Sequence, residues 1–159
     1  MAELAQVALR GSSARFLDAC EAALGLRPPT LPNTVASDGQ RSVLWLGPDE
    51  WLVVDAAESQ GEIVSRLRSA LQGIHSAVVD VSASRKVLGL SGSHAQDVLT
   101  KAATLDFSLE SFPVGSCAQT NIARTRGLIE RRGQQEFLIY VGASFARYLA
   151  AWLEDAKQQ

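Results

Sequence analysis

Four arginines within nine residues, Arg124, Arg126, Arg131 and Arg132, form the only basic cluster of the chain. Guanidinium forks bind phosphates and carboxylates through paired, charge-assisted hydrogen bonds, so the cluster could grip a phosphate, a folate tail or an acidic partner. A solvated hairpin accounts for it at least as well. Asp80 stands inside an apolar run. There it could act as a buried general base with a raised pKa, or accept hydrogen bonds from a turn at Ser82 to Ser84, which is the simpler reading. Gly89-x-x-Gly92 ahead of a helix could present backbone N–H groups to an anion, although a strand-to-helix turn calls for glycine in any case. His75 and His94 have no cysteine or carboxylate at metal-ligand spacing and read as surface or capping residues. The sequence contains no G-x-S-x-G elbow, no G-x-x-x-x-G-K-[ST] loop and no G-x-G-x-x-G after a strand. No catalytic, cofactor-binding or metal-ligating residue is therefore expected in this chain.

These residues hang on a stretch, Ser76 to Thr100, that reads as strand, turn, strand and helix. Gly92-Ser93 with Gln96 three residues on has the form of a capping box, followed by Ala95, Val98, Leu99 and Ala102 on one helical face. The motif recurs upstream. Val7-Ala8-Leu9-Arg10-Gly11-Ser12 lies over Leu88-Gly89-Leu90-Ser91-Gly92-Ser93 with an offset of 81, and Glu50-Trp51-Leu52-Val53-Val54 lies over Glu136-Phe137-Leu138-Ile139-Tyr140 with an offset of 86. Two correspondences in the same order predict an internal duplication: an α+β chain of two related β-α-β-β-α halves with antiparallel sheets, about 4–72 and 86–155, within one 159-residue domain.

Within the first half the spacing predicts a strand to Arg10 and a helix with Phe16, Leu17, Cys20, Ala23 and Leu24 inward. A proline-rich connector over 27–40 and a hairpin turned at Gly47-Pro48-Asp49-Glu50 follow. Ser59 with Glu62 suggests a second capping box. In the second half Phe107, Leu109 and Phe112 are expected to tuck inward, and Phe145, Tyr148, Leu149, Trp152 and Leu153 to form one stripe of the last helix.

A chain of 159 residues buries roughly 70% of its unfolded surface, enough for a real core. Its 47% apolar and 20% charged content is that of a globular protein. A net charge of -2 without a long basic run excludes the usual electrostatic footprint of nucleic-acid binding. No stretch is long and apolar enough for a membrane helix, and Met1-Ala2-Glu3 lacks the pattern of a signal peptide, so the expected location is cytoplasmic. Cys20 and Cys117 read as small buried residues.

The hairpin from Ser42 to Asp55 is apolar on both faces, since Val43 and Trp45 alternate with Leu44 and Leu46, and Trp51 and Val53 with Leu52 and Val54. One layer of helices covers one face. The other must be buried between the two halves or against a partner, and for a partner Trp45, Trp51 and Trp152 are the expected anchors.

LWLGPDEWLVV (44–54), VVDVSASRKVLGLSGSHAQDVL (78–99), FPVGSCAQT (112–120) and SFARYLAAWL (144–153) together resemble the gamma subunit of heterotetrameric sarcosine oxidase. The central stretch also resembles the folate-binding domain of aminomethyltransferases, the relatives of the glycine-cleavage T-protein. The first resemblance implies a non-catalytic small subunit of a complex that oxidatively demethylates sarcosine to glycine, in one-carbon metabolism and sarcosine catabolism. It implies tetrahydrofolate as one-carbon acceptor, hydrogen peroxide as product, and FAD, FMN, NAD and tetrahydrofolate carried by the alpha, beta and delta partners. The second resemblance implies an independent folate or one-carbon-binding protein. Against that stands Ala123-Arg124-Thr125-Arg126-Gly127-Leu128-Ile129-Glu130, where the aminomethyltransferase pattern has a glycine-rich turn and paired aspartates.

Overall fold

The computed structural model describes residues 3–159, which divide into two units, Glu3–Ala83 and Ser84–Gln159. In the first, strand β1 (Leu4–Arg10) turns at Gly11 into helix α1 (Ala14–Leu24). Ser13 starts this helix, its Oγ accepting the Phe16 N–H at 3.0 Å, and Gly25 at φ 77° closes it. Gly11 is required by close approach: a Cβ there would lie 2.3 Å from the Phe16 ring. The connector then yields a short strand β2 (Val35–Ser37). The hairpin β3 (Ser42–Gly47) and β4 (Glu50–Ala56), a 3-10 turn (Ala57–Ser59), helix α2 (Gln60–Ala70) and strand β5 (Ala77–Asp80) complete the unit. The sheet runs β2-β3-β4-β1-β5 with every neighbour antiparallel. Its core gathers Val7, Leu9, Val43 and Val53 of the sheet with Phe16 and Cys20 of α1 and Ile63 and Leu67 of α2, all fully buried.

The second unit consists of β6 (Arg85–Ser91), α3 (Ala95–Ala102), β7 (Cys117–Ile122), β8 (Thr125–Gly133), β9 (Glu136–Gly142), a 3-10 turn (Ala143–Phe145) and α4 (Ala146–Lys157). Its antiparallel sheet runs β6-β9-β8-β7. Leu90, Ile122, Ile129, Phe137 and Ile139 face Val98 and Leu99 of α3 and Leu149 and Leu153 of α4 in one core.

The two sheets share one design. β1 maps on β6 residue for residue at offset 81, and β4 on β9 at offset 86, so β2-β3-β4-β1 is the same order as β7-β8-β9-β6. The Gly11 N–H donates to Asp49 O at 3.0 Å and its counterpart Gly92 N–H to Gln135 O at 3.0 Å. Even the β-bulges coincide, between Trp45 and Gly47 and between Arg131 and Gly133. Both units contain β-α-β-β-β-α, one strand more than the expected pattern, and the first continues into β5 at the edge of its sheet. The additional strand β2 has only three residues, too few for alternation to register in the sequence.

Both expected capping boxes are absent. Ser59 and His94, at the N-caps of α2 and α3, make no side-chain cap bond. Glu62 instead pairs with Arg66 at 2.8 Å, and the Gln96 amide oxygen accepts from Arg131 at 3.1 Å. Helices α2 and α4 are entered through 3-10 turns, whose tighter bonding satisfies donors that a cap would otherwise meet. Phe107 and Phe112 are buried edge to face, ring centroids 5.5 Å apart, whereas Leu109 is exposed on its loop.

Candidate functional site

The three tryptophans occupy different environments. Trp51 is 2% exposed, stacks on Phe16 with centroids 5.7 Å apart and donates from Nε1 to Pro29 O at 2.8 Å. Its side chain is a core element of the first unit and offers no surface. Trp45, its cross-strand neighbour, is half-buried against the same core. Leu44, Leu52 and Val54, pointing the other way, are also buried, so the hairpin presents no bare apolar face.

Helix α4 is different. Ala150 and Ala151 aside, its apolar residues, counted from Phe145, spread over an arc of about 160° at 3.6 residues per turn, wider than the stripe a surface helix normally buries. Ala146, Leu149, Leu153 and Ala156 take the inner part of that arc. Phe145 and Tyr148 remain 50% and 39% exposed, with half-buried Trp152 beside them at i, i+3 and i+7. The expected single stripe therefore divides into an aliphatic inner side and an aromatic outer side. The width of the arc is the signal in the sequence that separates the two.

The basic cluster comes apart. Arg131 is buried: Nη1 donates to Phe107 O at 2.7 Å and Phe112 O at 2.8 Å, Nη2 to Gln134 O at 2.7 Å and to Gln96 Oε1, and the guanidinium lies 4.8 Å from the Phe137 centroid. Burial lowers its pKa, yet a guanidinium keeps its proton, and its donors pin the loop between α3 and β7. Arg132 turns to Glu130 at 3.4 Å, and the same carboxylate accepts the Tyr140 hydroxyl at 2.8 Å. Burial, and then the Glu130 charge, raise the Tyr140 pKa well above its ordinary value. Arg124 and Arg126 stay exposed on the β7–β8 hairpin.

Asp80 is exposed and accepts the Ser82 hydroxyl at 2.6 Å, the Ser82 N–H at 3.0 Å and the Gln60 amide. The Ser82 hydroxyl chiefly, with its N–H, lowers the Asp80 pKa, which removes the general-base reading in favour of the turn. His75 and His94 are both exposed, and no group of three metal-ligating side chains converges among the described residues. Gly89 sits inside β6 and Gly92 at φ 113° forms the turn into α3. No helix among the described residues is long and apolar enough to cross a membrane.

Residues 10–159 match the model of the sarcosine oxidase gamma subunit family. Sarcosine oxidase subunit gamma of Corynebacterium sp. (strain U-96) is 37% identical over 142 residues, 89% of this chain and 68% of that protein. The subunit gamma of an Arthrobacter species is 37% identical over 139 residues, 87% of this chain and 68% of the relative. Among solved structures, heterotetrameric sarcosine oxidase from Corynebacterium sp. U-96 in complex with pyrrole 2-carboxylate matches at TM-score 0.92 and 34% identity, over 98% of this chain and 80% of that one. The aminomethyltransferase T of the glycine cleavage system from Bartonella henselae has the same fold at TM-score 0.68 and 19% identity, over 95% of this chain and 43% of its own.

Proposed function

This chain belongs to the sarcosine oxidase gamma subunit family, and on that premise we propose that it is the small, non-catalytic subunit of a heterotetrameric complex that oxidatively demethylates sarcosine to glycine. The complex passes the one-carbon unit to tetrahydrofolate and electrons to oxygen, forming hydrogen peroxide in the cytoplasm. FAD, FMN, NAD and tetrahydrofolate belong to the alpha, beta and delta partners. The observation that carries this reading is the match at TM-score 0.92 over 98% of the chain to a chain of a heterotetrameric sarcosine oxidase. The exposed aromatic side of α4 supports it, because Trp and Tyr are the residues that most often anchor a protein interface. The reading as an independent folate-binding protein has only kinship of fold behind it, which does not confer activity.

Co-expression with a full set of sarcosine oxidase alpha, beta and delta subunits tests this. The expected result is stable co-purification in one assembly that oxidises sarcosine. A chain that elutes alone while the other three assemble without it would sink the reading.

A further inference from the structure

We propose that the second unit holds a binding site for a small oxyanion, a phosphate or carboxylate group gripped between Arg85 and Arg126. A cavity of about 260 Å³ opens on the sheet there, and its lining includes both arginines and Gln119 but no acidic side chain. The register explains the opening. Arg85 on β6 pairs with Gly142 on β9, and Gly127 on β8 pairs with Val141, which puts Arg126 one step further, opposite Gly142 from the other side. Two arginines therefore flank a central position that has no side chain, one strand away on each side. At roughly 4.8 Å per strand their Cα atoms stand about 10 Å apart, a span that two guanidinium stems can close around one oxyanion. In the next row Leu128 and Tyr140 form an apolar floor, with the Gln119 amide at its side.

The other unit shows that the fold does not call for these residues. At offset 81 Arg85 corresponds to Leu4, and at offset 86 Gly142 corresponds to Ala56 and Arg126 to Gln40, which lies outside β3. Arg126 makes no hydrogen bond or ion pair with the other described residues, so its guanidinium is available to a ligand.

Isothermal titration of the full chain with inorganic phosphate, and separately with succinate, at low ionic strength tests the site. Binding of one equivalent of at least one probe is expected, weakened tenfold or more by Arg126→Ala. Arg124→Ala, on the same hairpin but outside the cavity, should leave it unchanged. Circular dichroism melts verify folding, and Arg126→Gln replaces the alanine variant if the latter melts early. A response to phosphate alone assigns a phosphate ester, to succinate alone a carboxylate, and to both a general oxyanion site. Absence of binding at tens of millimolar overturns the proposal. So does equal loss in the Arg124 and Arg126 variants, which would mark a diffuse positive surface.

Discussion

Arg131 occupies in the second unit the position that Trp45 occupies in the first, 86 residues earlier and immediately before the same bulge. Each stands across from an inward aromatic, Trp51 for Trp45 and Phe137 for Arg131. One fold position thus carries an indole in one copy and a buried guanidinium in the other. The guanidinium is tolerated because three backbone carbonyls and the Gln96 amide accept from four of its five N–H groups, only the Nε–H being left without a partner.

Arg131→Ala should destabilise the chain by about 3 kcal/mol or more, since it strands the buried carbonyls of Phe107 and Phe112 and leaves a cavity beside Phe137. Arg131→Lys should restore little, because one ammonium cannot reproduce the fork. Urea denaturation monitored by circular dichroism measures both. A loss below about 0.5 kcal/mol for the alanine variant contradicts the role assigned to Arg131.

Trp51→Ala should cost about 3–5 kcal/mol of stability, as expected for removing a large buried aromatic. Trp45→Ala should cost less, because its ring is half-buried. Trp152→Ala should cost a similar amount to Trp45→Ala, because its half-buried ring also packs on the second core, and should in addition weaken association with the larger subunits by about 2 kcal/mol. The checks are thermal melts of the isolated chain beside affinity measured on immobilised partners. Unchanged affinity for the Trp152 variant would remove α4 from the interface.

Three aspartates in turns, Asp38, Asp80 and Asp106, have lowered pKa values. The main causes are the N–H of Arg41 for the first, the Ser82 hydroxyl for the second and the Ser108 N–H for the third. A depressed folded-state pKa contributes stability that is complete above the unfolded value, near 4, and is lost as pH falls through the folded one. The unfolding midpoint in urea should therefore drop as pH is lowered from about 5, and Asp80→Asn should flatten part of that decline. An Asp80→Asn chain with the same acid limb as the parent shows that the Ser82 contacts do not persist in solution.

Much of the architecture was legible because period and offset are properties of the chain itself. The offsets of 81 and 86, read from one hexapeptide that ends in a Gly-Ser pair and one pentapeptide, recover the common strand order. Side-chain partnerships were not legible in the same way. Gln96 stands where a capping residue belongs, and only the fold brings Arg131 within its reach. The four arginines look equivalent in sequence. The pleat sends Arg131 into the core and Arg126 to the opposite face, and Arg124 sits at the turn between the strands. Trp51 and Trp152 likewise share a residue type that suggested one role, and burial separates them.

The bonds that hold β2 to β3 and β7 to β8 locate where the two copies parted. The Trp45 N–H donates to Thr34 O at 3.0 Å and the Arg131 N–H to Ser116 O at 2.9 Å, so the offset is 82 on one side of each hairpin and 86 on the other. Nearly all the difference in length between the copies therefore entered at one hairpin tip, and there the longer copy gained contacts of its own: Ile122 is buried in the second core, and the Ala123 N–H donates to Ala102 O at the end of α3 at 2.8 Å. The extra length is thus built into the second core and tied to α3, while the shorter tip of the first unit stays at the surface. Trimming Ile122 to Arg126 should accordingly cost stability, whereas insertion at Gly39-Gln40, both exposed at the corresponding tip of the first unit, should be tolerated.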